Sequence, residues 1–148
     1  MTIRPARPEN TEAVRQIVQA AYGHYVTRLG KPPGPMLDDY SRRIADEQAW
    51  VLEDDGEPVG VLILEDADGA LLLDNLAMAP AVQGRGHGRA LIAFAEQEAR
   101  RRGYAVLRPY TNALMTENLA LYGRLGFRET GRVTEKGYER VYLAKALV

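Results

Sequence analysis

The stretch MAPAVQGRGHGR, residues 78–89, joins an apolar segment of strand character to an amphipathic segment of helical character. Glycines stand at alternate positions from 84 to 88, and they let the backbone approach a ligand closely because they carry no side chain. The first amides of the following helix have no partner inside that helix, and the helix dipole favours an anion there. Arg85 and Arg89 add positive charge. The stretch therefore predicts a site for a phosphate or pyrophosphate group.

Hydrophobic periodicity on either side of this stretch predicts seven strands and four helices. The strands are predicted at 2–6, 49–53, 58–64, 71–78, 104–110, 127–133 and 138–144, and the helices at 9–21, 37–48, 88–102 and 117–125. A proline- and glycine-rich loop is predicted at 30–35. Because hairpins are combined with one strand–helix–strand crossover, we predict an α+β fold with a mixed, mostly antiparallel sheet flanked by helices, which some schemes call three-layer α/β.

The crossover makes a sharper prediction about the sheet. The strands 71–78 and 106–110 are expected to be parallel neighbours, linked by the helix 88–102 in a right-handed connection. They are expected to separate at their carboxyl ends, since Pro109 has no amide hydrogen to donate to a ladder.

Size and composition suit one compact domain over residues 1–148. Apolar residues make up 46% of the chain and the net charge is −1, so bulk charge predicts neither a nucleic acid nor a membrane partner. There is no cysteine, which excludes disulfides and thiolate metal sites and fits a reducing compartment. The first residues lack the apolar run of a signal peptide, and we expect a cytoplasmic protein.

Several phosphate-binding motifs can be compared with the glycine turn. A P-loop requires Gly-Lys-Ser/Thr, whereas Gly88 is followed by Arg89 and Ala90. The dinucleotide fingerprint fits at Gly84 and Gly86 but has Arg89 in its last glycine position. An ordinary strand–helix connection rich in glycine is the alternative without a ligand.

Two separated motifs resemble those of the GCN5-related N-acetyltransferases. Gln83-x-x-Gly86-x-Gly88 matches their Gln/Arg-x-x-Gly-x-Gly/Ala motif. NLALYGRLGF, residues 118–127, resembles their Asn-x-x-Ala-x-x-x-Tyr-x-x-x-Gly-Phe segment, with the alanine displaced by one or two places. The order of elements matches as well, so the resemblance covers nearly the whole chain. His87 departs mildly, because an aliphatic residue is common there, and we interpret it as a packing or surface variant.

This resemblance implies the acyl-CoA N-acyltransferase fold and transfer of an acetyl group from acetyl-CoA to a primary amine of a small molecule or protein, without a metal. It implies that coenzyme A is bound by the strand before the turn, by the turn itself and by one helical asparagine. The implied cofactor residues are Leu76, Ala77 and Met78 for the pantetheine arm, Gln83, Gly84, Arg85, Gly86, His87, Gly88 and Arg89 for the pyrophosphate, and Asn118 for the pantetheine chain. Tyr122 is the implied general acid.

The residues Asn118 and Tyr122 are also informative on their own, because a spacing of four places them on one helix face. A tyrosine hydroxyl beside a thioester sulfur could protonate the leaving thiolate, which is poorly solvated in an apolar cleft. The alternative is a core tyrosine and a surface or capping asparagine.

An amine must lose a proton before it attacks, and several candidates for the base stay open: Asp74 or Asn75, Glu117, or a chain of water molecules. A bulge would decide which face Asp74 occupies. The resemblance places the acceptor pocket at the first two helices and the last hairpin, which here supply Tyr22, His24, Tyr25, Arg28, Lys31, Tyr40, Tyr110 and Tyr138. The polar segment 110–118 is a further candidate wall.

Two other functions remain open from the sequence. One is a domain that binds acyl-CoA without turning it over, although such a domain needs no acid at Tyr122. The other is a transferase that uses a different acyl-CoA donor. The absence of a basic face disfavours nucleic-acid binding. A homodimer is left open.

Overall fold

The computed structural model describes residues 1–147, in which seven strands form one sheet in the order β1-β2-β3-β4-β5-β7-β6. The strands are β1 Thr2–Pro5, β2 Ala49–Asp54, β3 Glu57–Ala67, β4 Ala70–Met78, β5 Val106–Asn112, β6 Arg128–Glu135 and β7 Tyr138–Ala146. The α-helices are α1 Thr11–Tyr22, α2 Tyr25–Leu29, α3 Tyr40–Ala45, α4 His87–Arg101 and α5 Thr116–Arg124. Within the described residues only β4 and β5 pair in parallel, so the predicted mixed, mostly antiparallel sheet is confirmed.

Alternation along the central strands produces two cores, one on each face of the sheet. Val61 and Ile63 of β3 pack with α1 and α3, whereas Leu62 and Leu64 pack with α4 and α5. All four side chains are fully buried, as expected of a strand covered by helices on both faces. Among residues 1–147, no helix is both long and apolar enough to cross a membrane.

The strands β4 and β5 are parallel neighbours joined through α4, as predicted, and they pair only over Leu71–Leu73 and Leu107–Pro109. Asp74 is an extra residue in β4, because Leu73 pairs with Leu64 of β3 and the next paired residue, Asn75, pairs with Ile63. A bulge bends its strand, and Pro109 cannot extend the ladder. Beyond Asp74, β4 therefore keeps its pairing with β3 alone, and a gap opens between β4 and β5.

The segment between α1 and β2 departs from the prediction in one place and adds an element in another. The helix expected at 37–48 covers only Tyr40–Ala45, and the short helix α2 was not predicted. The start of α3 is fixed by Asp39, whose side chain accepts a hydrogen bond from the Arg42 amide. Its end is fixed by Glu47, whose φ of 59° is incompatible with a right-handed helix. Neither the cap at Asp39 nor the positive φ of Glu47 is visible in the spacing of apolar residues on which the helix prediction rested.

Candidate active site

A long cleft runs over the glycine turn, between β4 and the helices α1, α4 and α5; we call it the glycine cleft. Its lining residues are Ala21, Tyr22, His24, Tyr25, Leu76, Ala77, Met78, Gln83, Gly84, Gly86, Gly88, Arg89, Glu117, Asn118, Leu121 and Arg124. Gly84 and Gly86 have φ values of 82° and 83°, which only glycine adopts freely. Gly88 has ordinary helical geometry, and a Cβ built there would have no atom within 4 Å. The turn thus presents backbone, the α4 amino end and open space to the cleft.

Two residues of the turn, Arg85 and His87, are not among the lining residues of the cleft. His87 is only 12% exposed, and its Nε2 lies 3.7 Å from Asp54 Oδ2. Gln83 does line the cleft, and its side-chain amide donates to the Met78 carbonyl oxygen at 3.2 Å. The predicted contact of Arg85 and His87 with a ligand would therefore use their backbone.

A smaller cavity, here called the inner pocket, lies in the gap between β4 and β5. It is lined by Tyr22, Pro33, Gly34, Pro35, Asp74, Asn75, Leu76, Tyr110, Thr111, Asn112, Met115, Asn118, Tyr122, Tyr138 and Arg140. Tyr22, Leu76 and Asn118 line both this pocket and the glycine cleft. The two spaces therefore adjoin at these three residues.

Tyr122 lies beside this junction on α5, one turn after Asn118. Its side chain is buried, and its ring packs edge-on against Phe127 with centroids 5.5 Å apart. Burial alone raises the pKa of Tyr122 above its usual range. The phenol therefore keeps its proton at neutral pH, and no hydrogen-bond partner for it is found in residues 1–147. Such a proton is available to a group that enters the pocket.

Tyr22, the other tyrosine at the junction, has a hydroxyl that is already engaged. It lies 2.8 Å from both Asn75 Oδ1 and the Leu76 carbonyl oxygen. Asn75 Nδ2 in turn donates to the Tyr40 hydroxyl at 2.9 Å, and that hydroxyl donates to the Pro35 carbonyl oxygen. These buried hydrogen bonds connect α1, β4, α3 and the proline-rich loop, and so they position the wall of the inner pocket.

We predict that Tyr40→Phe lowers the free energy of unfolding by about 1–3 kcal/mol, because it leaves Asn75 Nδ2 and the Pro35 carbonyl without a partner. Chemical denaturation monitored by fluorescence measures the change. Tyr104→Phe, at a half-exposed tyrosine outside the pocket whose hydroxyl bonds the surface carboxylate Asp66, is the matched control and should change stability much less. Equal stability of the two variants would show that the hydrogen bonds through the Tyr40 hydroxyl contribute nothing to the free energy of unfolding.

Asp74, the bulge residue, lines the inner pocket and accepts a hydrogen bond from the Tyr110 hydroxyl at 2.7 Å. Its other oxygen lies 3.3 Å from an Arg43 guanidinium nitrogen. Burial raises the pKa of Asp74, and the Arg43 charge and the Tyr110 hydrogen bond only partly oppose that rise. Asp74 is thus a largely buried carboxylate on the wall of the inner pocket, paired with Arg43 and Tyr110.

Glu117 has a different environment. Its carboxylate accepts hydrogen bonds from Arg28 and Tyr25, both at 2.7 Å, and these lower the pKa of Glu117 to about 2. A carboxylate with so low a pKa is a weak base. It lines the glycine cleft and not the inner pocket, so its position also disfavours the role of a base.

The structure separates the predicted acceptor residues into groups. Tyr22, Tyr110 and Tyr138 line the inner pocket, together with Thr111, Asn112, Met115 and Asn118 of the polar segment. His24 and Tyr25 line the glycine cleft, and Tyr40 is a buried support. Sequence reasoning missed Arg124, a cation on the cleft wall. Arg124 follows Leu121 by three residues, as Leu121 follows Asn118, and this row of i, i+3 neighbours could have indicated its position.

Comparison with known proteins adds to this geometry. Residues 45–129 match the model of the Acetyltransferase (GNAT) domain. The chain belongs to the GNAT acetyltransferase family. It is therefore an acyltransferase, and the expectation of an acetyl-CoA-dependent N-acetyltransferase is confirmed, with the acceptor unspecified. The match includes β4, the glycine turn, α4 and α5, which line the cleft, and also β5; α1, which lines the cleft as well, lies outside the matched residues.

Similar proteins support this membership. The uncharacterized N-acetyltransferase YjgM of Escherichia coli (strain K12) is 29% identical over 126 residues, which are 81% of this chain and 75% of that protein. The PaiA N-acetyltransferase of Thermoplasma acidophilum, solved in complex with coenzyme A, superposes with a TM-score of 0.81 at 16% identity, covering 98% of both chains. Salmonella typhimurium YncA, solved with its cofactor acetyl-CoA, has a TM-score of 0.75 at 24% identity, covering 100% of this chain and 94% of that one. The two structures show the shared fold.

Proposed function

We propose that this GNAT protein transfers the acetyl group of acetyl-CoA, bound in the glycine cleft, to a primary amine in the inner pocket. The observation that carries the proposal is the junction at Tyr22, Leu76 and Asn118, where the two spaces meet beside the Tyr122 hydroxyl. A donor on one side and an acceptor on the other would be held in reacting contact, which is the main requirement of group transfer.

The glycine cleft provides groups suited to each part of coenzyme A. The open turn from Gly84 to Gly88 and the amino end of α4 would accept the pyrophosphate, with Arg89 and Arg124 as the cations on the wall. Leu76, Ala77 and Met78 would pair their backbone with the pantetheine arm on the side of β4 that faces away from β3. Asn118, whose amide lies 3.3 Å from the Thr111 hydroxyl, would hydrogen-bond the same arm near its thioester end.

The reaction forms a bond between the amine nitrogen and the acetyl carbon and breaks the bond between that carbon and sulfur. The ammonium must first lose a proton, and we assign this step to water leading past Asp74 to solvent, because Glu117 is too acidic and lines the wrong space. Tyr122 gives its proton to the departing thiolate and regains one from solvent. No metal enters the scheme, and no group of His, Asp or Glu in residues 1–147 is arranged to hold one.

Several finer statements stay predictions. A non-catalytic binding module is disfavoured by the unengaged Tyr122 hydroxyl. The organisation as one domain over residues 1–148 and a cytoplasmic location are likewise predictions, and a homodimer stays open.

An acceptor screen tests the proposal. Purified protein is mixed with acetyl-CoA and single amines, and the release of free coenzyme A thiol is followed. We expect at least one amine to raise thiol release well above the rate of acetyl-CoA hydrolysis, with a product heavier by one acetyl group in mass spectrometry. Tight coenzyme A binding without acetylation of any amine in a broad panel would favour the binding module instead.

A further inference from the structure

A second space continues from the inner pocket to solvent, on the side away from the glycine cleft; we call it the outer groove. The two share Gly34, Pro35, Asp74, Tyr110, Tyr138 and Arg140. The charged residues that line the groove are Lys31, Asp38, Arg43, Asp74, Lys136 and Arg140. An acceptor that reaches the junction along this path would be exposed to the electrostatic field of these residues.

The charges are not evenly balanced along the groove. Arg43 lines the groove but not the inner pocket, and three carboxylates match it: it pairs with Asp38 at 2.9 Å and with Glu65 and Asp74 at 3.3 Å. Arg140 lines both the groove and the inner pocket and has one carboxylate partner, Glu135, at 3.0 Å. Lys31 and Lys136 form no ion pair with any carboxylate in residues 1–147. The side of the groove formed by these three cations therefore carries an excess of positive charge.

Two hydrogen bonds connect the opposite walls of the outer groove. The Tyr138 hydroxyl at the start of β7 donates to the Pro32 carbonyl oxygen, and Lys31 Nζ donates to the Gly137 carbonyl oxygen at 2.7 Å. The Lys31 ammonium also lies 4.0 Å from the centre of the Tyr138 ring. The proline-rich loop is thus fastened to the β6–β7 turn across the groove. A small molecule fits such a covered path better than a segment of a folded protein.

Tyr110 lies between the two sides of the groove. The Arg140 guanidinium lies over its ring, 4.9 Å from the centroid, and its hydroxyl bonds Asp74. The excess of carboxylates around Arg43 on one side and of cations around Arg140 on the other would orient a molecule of opposite polarity, with its ammonium toward Asp74 and its anion toward Arg140.

We propose that the acceptor is a small primary amine that carries a carboxylate or another anion, with the anion held by Arg140, Lys136 and Lys31 and the amine directed to the junction. This deepens the proposed transferase function and rests on it. Carboxylates and phosphorus oxyanions share the required chemistry, and a bidentate contact with Arg140 suits either.

The first test compares acceptors of equal length. The panel holds β-alanine, γ-aminobutyrate and 5-aminopentanoate, the alkylamines that lack their carboxylate, and the aminoalkylphosphonates that replace it. We expect kcat/KM to be at least about tenfold higher for the anionic acceptors, the scale of one charge-assisted hydrogen bond. Preference for the phosphonates would assign the anion as a phosphorus oxyanion, and preference for the carboxylates as a carboxylate. Equal use of the alkylamines, or a preference for them, would overturn the inference.

The second test uses variants and the ratio of kcat/KM for the best anionic acceptor to that for its uncharged analogue. Arg140→Gln should lower this ratio about tenfold, and Lys136→Gln, in an exposed turn where folding is not at risk, about threefold. Arg132→Gln is the matched control, since Arg132 lies on β6 outside the groove and pairs with Glu129. An unchanged ratio in both groove variants would refute the anion site. If no amine of any class is acetylated, the proposed function fails instead, so the two failures are distinguishable.

Discussion

Tyr122→Phe is expected to slow acetyl transfer by ~10²-fold or more, the usual scale for a positioned acid. The change removes only the hydroxyl, so the ring keeps its packing on Phe127 and coenzyme A affinity should hardly move. Single-turnover transfer to an acceptor found in the screen is the measurement, because slow product release could hide the loss in steady-state rates. Calorimetry gives the coenzyme A affinity of both proteins.

The pH dependence sharpens this expectation. Because burial raises the pKa of Tyr122, the phenol stays protonated from acidic to mildly alkaline pH and adds no limb of its own to the rate profile there. A fall in the transfer rate at acidic pH then reflects protonation of the acceptor amine. The pH at which this fall occurs should be the same in Tyr122→Phe. Tyr104→Phe controls for loss of a tyrosine hydroxyl elsewhere. Wild-type single-turnover rates in Tyr122→Phe would transfer the role of acid to water and leave the family assignment intact.

The parts of the fold that follow from local chemistry were predictable from the sequence. The Asp54–Gly56 turn predicts its hairpin, and the structure has Asp55 and Gly56 at φ values of 52° and 79°, as such a turn requires. Pro109 predicts the end of the β4–β5 ladder because proline lacks the donor. The family resemblance, in contrast, was needed to distinguish coenzyme A from other phosphate ligands.

The parts of the site that depend on distant contacts were not predictable. Whether β4 bulges at Asp74 is decided by its register with Ile63 and Leu64 on β3, which alternation within β4 does not reveal. The covered groove depends on Lys31 and Gly137, which are 106 residues apart in the sequence. Sequence patterns predict the buried faces of helices and strands and the positions of turns. The bulge at Asp74 and the contact between Lys31 and Gly137 depend instead on tertiary packing.

Replacement of Gly88 is expected to separate cofactor binding from folding. Gly88 lies in the first turn of α4 with ordinary helical geometry, and a Cβ there would meet no protein atom within 4 Å. Gly88→Ala should therefore leave the free energy of unfolding unchanged or raise it by up to about 1 kcal/mol, as alanine favours helix. The same methyl group would occupy the space proposed for the pyrophosphate, so we expect coenzyme A affinity to fall at least about tenfold. Gly88→Val should weaken it further.

Gly123→Ala is the matched control, because Gly123 is also helical, has equal open space around it and does not line the glycine cleft. Gly86 is a poorer choice for this test. Its φ of 83° makes any side chain strained by about 1–2 kcal/mol, so lost binding could reflect a distorted turn. Calorimetric titration with coenzyme A and chemical denaturation are run on the Gly88 and Gly123 variants together. If Gly88→Val binds coenzyme A as tightly as Gly123→Ala does, the pyrophosphate does not lie against the start of α4, and the placement of the cofactor over the glycine turn is wrong.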